Sequence, residues 1–206
     1  MMTSPLALQM PSEIGPGLRV EFFRTENQYA HRILALEGPQ TATPILETVE
    51  HQGIGTPLSP VLQGLNVEDL RAFQPQSGRI PPAAMLIGMA DRLHFSLSVS
   101  FEQRGTGWGL VFDVACRSKE FPARLTSVYT PLGGVQIEQE TDSIQFRSGT
   151  TACMLRPLPI DATSPELTCE VAIVDEQIEI QRETPNATPS SATWRWRYAL
   201  WLTRLT

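Results

Sequence analysis

Lysine is almost missing from this chain. Of its 16 basic residues only Lys119 is lysine, and no basic run occurs anywhere. A nucleic-acid-binding surface needs a basic face to displace counterions from phosphates. With a net charge of −6, no nucleic-acid partner is expected. Cysteine is scarce too: Cys116, Cys153 and Cys169 are odd in number, widely spaced and free of any C-x-x-C pair. That pattern builds neither a disulfide framework nor a zinc site. Cys116 and Cys169 fall in phase with apolar neighbours, and the three read as reduced core thiols. Long apolar runs are absent, so nothing reaches the length of a membrane span. The opening MMTSPLALQMPSE lacks the positive and apolar regions of a secretory signal. These absences predict a cytoplasmic protein with no membrane partner. Asn186-Ala187-Thr188 matches a glycosylation acceptor, and in that compartment the match is chance.

Catalytic signatures are missing as well. No G-x-S-x-G occurs, so no serine sits on the strained elbow that nucleophilic catalysis uses. The glycines of Gly105-Thr106-Gly107-Trp108-Gly109 fall in a hairpin turn and strand rather than before a helix, which is the wrong context for a phosphate loop. His31 and His51 have no partner at metal-ligand spacing and read as structural. No metal and no cofactor is expected.

What is present is alternation. Leu93, Phe95, Leu97, Val99 and Phe101 alternate with His94, Ser96, Ser98, Ser100 and Glu102. A strand sends successive side chains to opposite faces, so this arm has one dry face and one wet face. Trp108, Leu110, Phe112, Val114 and Cys116 continue the dry face on a second arm. A turn at Arg104–Gly105 pairs Phe101 with Trp108 and Leu97 with Phe112. A slip of one residue is excluded because it turns one apolar set to water. A slip of two keeps the phase and leaves a four-residue loop open. Burying ten such side chains, at about 1.5–3 kcal/mol each, makes this pair the predicted nucleus of the core.

Three more hairpins follow the same logic. Leu18–Arg24 and Tyr29–Glu37 turn at Glu26–Asn27, with apolar residues on both faces (Val20 and Phe22 against Phe23). Val135–Glu138 and Ile144–Arg147 turn at Glu140–Asp142. Leu167–Val174 turns at Asp175–Glu176, pairing Ile173 with Ile178 and Val171 with Ile180. Ile45–Glu50, Ala123–Tyr129 and Thr151–Leu155 are further strand candidates, and the Pro-rich Arg156–Pro165 reads as a loop. Ala83–Ala90 fits either a helix or a strand leading into the central hairpin. One short helix is expected near 66–73, with Asn66 as cap, acidic Glu68 and Asp69 in its first turn, and Leu65, Leu70 and Phe73 as its stripe. Residues 1–17 are Pro-, Ser- and Gly-rich and read as a loose lead-in; 18–206 form a single β domain. Glu183–Thr193 is a polar surface loop. The last segment sets Trp194, Trp196, Tyr198, Leu200 and Leu202 on one face and Arg195, Arg197, Ala199, Trp201 and Thr203 on the other. The fold class is therefore all-β, a two-layer antiparallel β-sandwich, with a partly closed barrel as the alternative.

Three constellations suggest chemistry. His94, Ser96 and Asp113 share the wet face of the central hairpin, with Ser96 opposite Asp113, and suggest nucleophilic catalysis as residue types. Mid-strand amides are already used in the ladder and offer no oxyanion hole, so this reads as a solvated face. Glu138, Glu140 and Asp142 are spaced like hard-cation ligands but read as a charged, soluble turn. Trp194-Arg195-Trp196-Arg197-Tyr198 suggests a sugar platform or anion clamp; the phase sends the aromatics inward and leaves Trp201 on the arginine face. Two functional readings result. The first is a non-enzymatic module that binds another protein or assembles with itself, resting on the missing signatures and on Trp201 and Val111 lying off the apolar phase. The alternative is a barrel-type enzyme or carrier whose pocket for an anionic small molecule is lined by Arg117, Arg195 and Arg197.

Overall fold

The computed structural model describes residues 6–10, 16–38, 41–50, 57, 59–68, 83–104, 107–119, 122–161, 166–183 and 192–203. The expected loop over 183–193, His51 and the 186–188 triplet fall almost wholly outside this set. The described residues form fifteen strands and no helix. In chain order they are β1 (Leu6–Gln9), β2 (Gly17–Arg24), β3 (Tyr29–Leu36), β4 (Ala42–Thr48), β5 (Gly64–Glu68), β6 (Ala83–Ala90), β7 (Leu93–Arg104), β8 (Gly107–Ser118), β9 (Thr126–Pro131), β10 (Gln136–Gln139), β11 (Ile144–Ser148), β12 (Thr151–Leu158), β13 (Cys169–Val174), β14 (Gln177–Arg182) and β15 (Ala192–Thr203).

Two antiparallel sheets stack as a sandwich. One has seven strands in the order β1-β2-β3-β4-β9-β14-β13, the other eight in the order β10-β11-β12-β15-β8-β7-β6-β5. Neither closes on itself, so the barrel alternative is set aside. The inward phase of every long strand meets in one core. Leu97, Val99, Phe112, Val114, Trp196, Tyr198 and Leu200 of the larger sheet pack with Leu18, Val20, Phe22, Ile33, Tyr129 and Ile180 of the smaller. Alternation at period two is what permits this, because each strand then presents a continuous dry face to the other layer.

The hairpins read from the sequence are present. β2–β3 pairs Arg24 with Tyr29, β10–β11 pairs Gln139 with Ile144, and β13–β14 pairs Ile173 with Ile178 and Val171 with Ile180. Asp175 and Glu176 both take positive φ, 49° and 63°, the geometry that lets a two-residue turn follow the strand twist. The central hairpin keeps the expected phase but not the register. Phe101 faces Leu110 and Leu97 faces Val114, with Arg104 opposite Gly107. The shift is by two residues, which leaves both dry faces intact, so phase alone could not choose between the registers.

Other expectations need correction. Residues 66–68 lie in β5, where Leu65 and Val67 alternate onto the core; pairing with β6 makes period two prevail over the capping signal, and 69–73 lie outside the described residues. The lead-in is not loose throughout, because β1 pairs with β2 and buries Leu8 completely. β12 runs three residues past Leu155 to Leu158. β11 begins at Ile144, opposite Leu155, so past Leu155 β12 pairs only with β15, and Pro157 sits in that one-sided stretch, where a missing N–H is tolerated. In β4 a register shift at Ile33/Leu34 turns both Ile45 and Leu46 into the protein, each fully buried; such a bulge re-aims one side chain. β6 resolves the ambiguous segment as a strand. Gly88 in it has no side chain for a physical reason: a Cβ there would lie 2.2 Å from the Val61 carbonyl oxygen and 2.8 Å from the Leu62 Cα.

Candidate functional site

The wet face of the central hairpin does not assemble a nucleophilic triad. In the observed register His94 faces Arg117, Ser96 faces Ala115, and it is Ser98 that faces Asp113. Asp113 is in turn held by Arg195 at 2.6 Å. At the β10–β11 tip, Glu140 accepts hydrogen bonds from Ser143 and Gln145 of its own hairpin.

The arginines proposed from the sequence do not converge. Arg195 pairs with Asp113 and Arg197 with Glu102. Both pairs lie on the outer face of the larger sheet and tie β15 to β8 and β7. Trp201 also lies on that outer face, yet it is only 8% exposed. Its ring lies against Gly109, where a Cβ would come within 2.5 Å of Cε3. Arg104 and Arg156 lie over it, 5.1 and 5.9 Å from the ring centroid. With Val111, Leu158 and Ala199 it makes a small second core outside the sandwich. This accounts for the off-phase apolar residues: they cover one another. The inward aromatics Trp194, Trp196 and Tyr198 are buried as their phase required.

Arg117 stands elsewhere. It lines an open concavity of about 640 Å³ with Asp91, Arg92, His94, Ser118 and Lys119. Arg92 and Asp91 form the β6–β7 turn, and Asp91 takes positive φ there, 51°. Among the described residues no carboxylate forms an ion pair with Arg92, Arg117 or Lys119. Five other described arginines do pair with carboxylates: Arg19 with Glu21, Arg32 with Glu47, Arg124 with Glu179, Arg195 with Asp113 and Arg197 with Glu102. The concavity is therefore a local excess of positive charge on an acidic protein.

An apolar row runs into this basic end. Met85, Ile87 and Met89 point outward from β6 and are 42%, 61% and 49% exposed. Register places Met89 beside His94, and His94 beside Arg117. The next rows set Ile87 beside Ser96 and Met85 beside Ser98. Scattered exposed apolar residues are ordinary; these three are contiguous and lie beside uncharged serines. The sequence signal for it was the apolar character of both phases of Ala83–Ala90: once the segment is a strand, one of the two must face outward.

The polar residues of the core form a second constellation. Trp196 Nε1 donates to Ser127 Oγ (3.1 Å), and the Ser127 hydroxyl bonds Tyr198. Tyr198 and Tyr129 hydroxyls are 2.8 Å apart, and Tyr129 Oη lies 2.9 Å from His31 Nε2. The indole N–H can only donate. Each hydroxyl and the His31 ring can donate or accept, so the direction of the remaining bonds follows the His31 tautomer. Burial keeps the ring neutral, holding the His31 pKa down at about 3. It also holds both tyrosines well above the usual phenol range, with each hydroxyl neighbouring the other. A cavity of about 20 Å³ beside His31, Tyr129, Ser127 and Thr48 has room for about one water, far below the 300–1,000 Å³ typical of ligand pockets. This chain joins the two sheets. The three thiols are free and buried, each pushed up to about 12 by its surroundings. No helix among the described residues is long and apolar enough to cross a membrane. No family model, no curated protein and no solved structure matches this chain.

Proposed function

We propose that this protein is a non-enzymatic β-sandwich module that assembles with itself through the outer face of its eight-stranded sheet. The observation that carries this reading is the exposed row Met85, Ile87 and Met89 beside the uncharged Ser96 and Ser98. Covering what these three side chains leave exposed contributes roughly 2–5 kcal/mol, at about 1.5–3 kcal/mol per fully buried side chain. Association costs at least about 4 kcal/mol in lost freedom, so the row anchors a contact but requires support from neighbouring groups. The assay is sedimentation or light scattering over a wide concentration range. The wild-type chain is expected to associate reversibly, and Ile87→Lys, at an outward position that folding does not use, to weaken association by about tenfold or more. Unchanged association of Ile87→Lys refutes the reading.

A second reading is favoured by one observation, the unpaired Arg92, Arg117 and Lys119 around an open concavity: the site takes a small anion. Inorganic pyrophosphate would then raise the melting temperature of the wild type and not of Arg117→Glu. No shift in either protein rules it out.

A further inference from the structure

We propose that the occupant of this surface is the β13–β14 hairpin tip of a second copy, so that copies join head to tail. The inference rests on the self-assembly reading above and names the other half of the contact. The surface offers an apolar row ending in unpaired cations, and the tip offers the complement. Ile173 and Val174 are 37% and 41% exposed, and Asp175 and Glu176 follow them as the exposed turn. Four consecutive exposed residues thus set two apolar side chains directly before two carboxylates. Register on the receiving side has the same order, with Ile87 and Met89 leading to His94 and Arg117, and Arg92 and Lys119 around them. Among the described residues, Asp91 is the one carboxylate lining that concavity.

The tip is tied to a second acidic hairpin. The Ile173 backbone N–H donates to Gln139 Oε1 at 3.0 Å, which sets the β10–β11 hairpin beside it. That hairpin carries the exposed Glu138, Glu140 and Asp142. One end of the molecule is therefore acidic, while the Arg92–Arg117–Lys119 concavity is basic.

A single copy cannot bring the two together. The tip belongs to the seven-stranded sheet and the surface to the outer side of the eight-stranded one. Gln139, which marks the tip's position, lies at the β10 edge beside Ile144, in the row Ile144–Leu155–Leu200–Leu110. Arg117 lies seven residues further along β8 and four strands across. At about 3.4 Å per residue and about 4.8 Å per strand, the separation is roughly 20 Å in each direction. Two different patches in contact make a heterologous interface, which propagates into rings or open chains unless capped. Paired charges at the rim make it salt-sensitive.

The test uses two variants of the full chain, each checked for native fluorescence and circular dichroism. The surface variant carries Arg92→Glu and Arg117→Glu. The tip variant carries Asp175→Asn and Glu176→Lys, with Asn chosen because it tolerates positive φ. Sedimentation is expected to show concentration-dependent association of the wild type that added salt weakens, and a monomer for each variant alone. Mixed together, the variants retain one good tip and one good surface between them, so they form a complex of two chains and nothing larger. Failure of the mixture to associate overturns the proposal, as does a tip variant that assembles like the wild type. If the tip variant assembles normally while Ile87→Lys does not, the self-assembly reading stands and only the tip assignment falls. If Ile87→Lys also assembles normally, the reading itself falls. A wild type that stays monomeric at all concentrations and salts overturns both.

Discussion

Replacing His31 with glutamine should flatten the acid side of this protein's stability profile. His31 lies between Phe22 and Phe112, stacked on the latter at 5.4 Å, and shares a hydrogen bond with the Tyr129 hydroxyl. Glu50 is the carboxylate lining the adjoining cavity. Burial lowers the His31 pKa from 6.5 to about 3, so the folded state refuses a proton that the unfolded state takes up. The sign follows: His31 costs no stability above about pH 7, and stability falls as pH drops from 6.5 towards 3. Between pH 7 and 5 the loss is about 2 kcal/mol, and over the whole window about 5 kcal/mol. The upper part of the window is the informative one, because ordinary carboxylates titrate below about pH 5. Urea unfolding followed by tryptophan fluorescence at pH 7, 6 and 5 measures it. Wild type should lose about 2 kcal/mol across that range. His31→Gln keeps a hydrogen-bonding partner for Tyr129 but has no proton to gain; it should start less stable and lose almost nothing. Parallel profiles for the two proteins would refute the assignment of His31 as a buried neutral imidazole.

Three further outcomes follow from contacts elsewhere. Tyr129→Phe removes the hydrogen-bond partner of both His31 Nε2 and the Tyr198 hydroxyl, and should cost about 1–3 kcal/mol in the same unfolding assay. Gly88→Ala sets a Cβ against the Val61–Leu62 backbone and should cost about 1–3 kcal/mol or more; thermal melting checks it, and an unchanged melting temperature would mean the chain does not cross β6 there. The three buried thiols, each with its pKa pushed up to about 12, should resist a thiol reagent at mildly alkaline pH in the native state and all react in denaturant, since only the thiolate attacks.

The β13–β14 hairpin was legible to the residue, because an alternating strand on each side of Asp175–Glu176 leaves one register that matches faces. The β7–β8 hairpin was legible only to within two residues, since a shift of two moves no side chain across the sheet. Asn66 misled because a capping signal is local, while the pairing of Leu65 with Leu86 is not. Arg195 and Arg197 were candidates for a free anion site because charge is visible in sequence and pairing is not; Asp113 and Glu102 lie roughly 80 and 95 positions away and become neighbours only in the sheet. That Arg92 and Lys119 stand beside Arg117 was hidden for the same reason.

Alternation by itself determined that this chain is all-β and antiparallel, which side chains of the alternating strands are dry, and which turns join neighbouring strands. These are properties of period two and of turn chemistry, carried within a dozen residues. That the strands form two open sheets and not a barrel was decided by the tertiary structure, and only the tertiary structure decided what the outer faces do. Trp201 has its ring against Gly109 and under two guanidinium groups, two arginines are neutralised, and Met85, Ile87 and Met89 are left open beside Arg117. Those outcomes depend on which strand lies beside which, and strand order is set by long-range packing that no local pattern encodes.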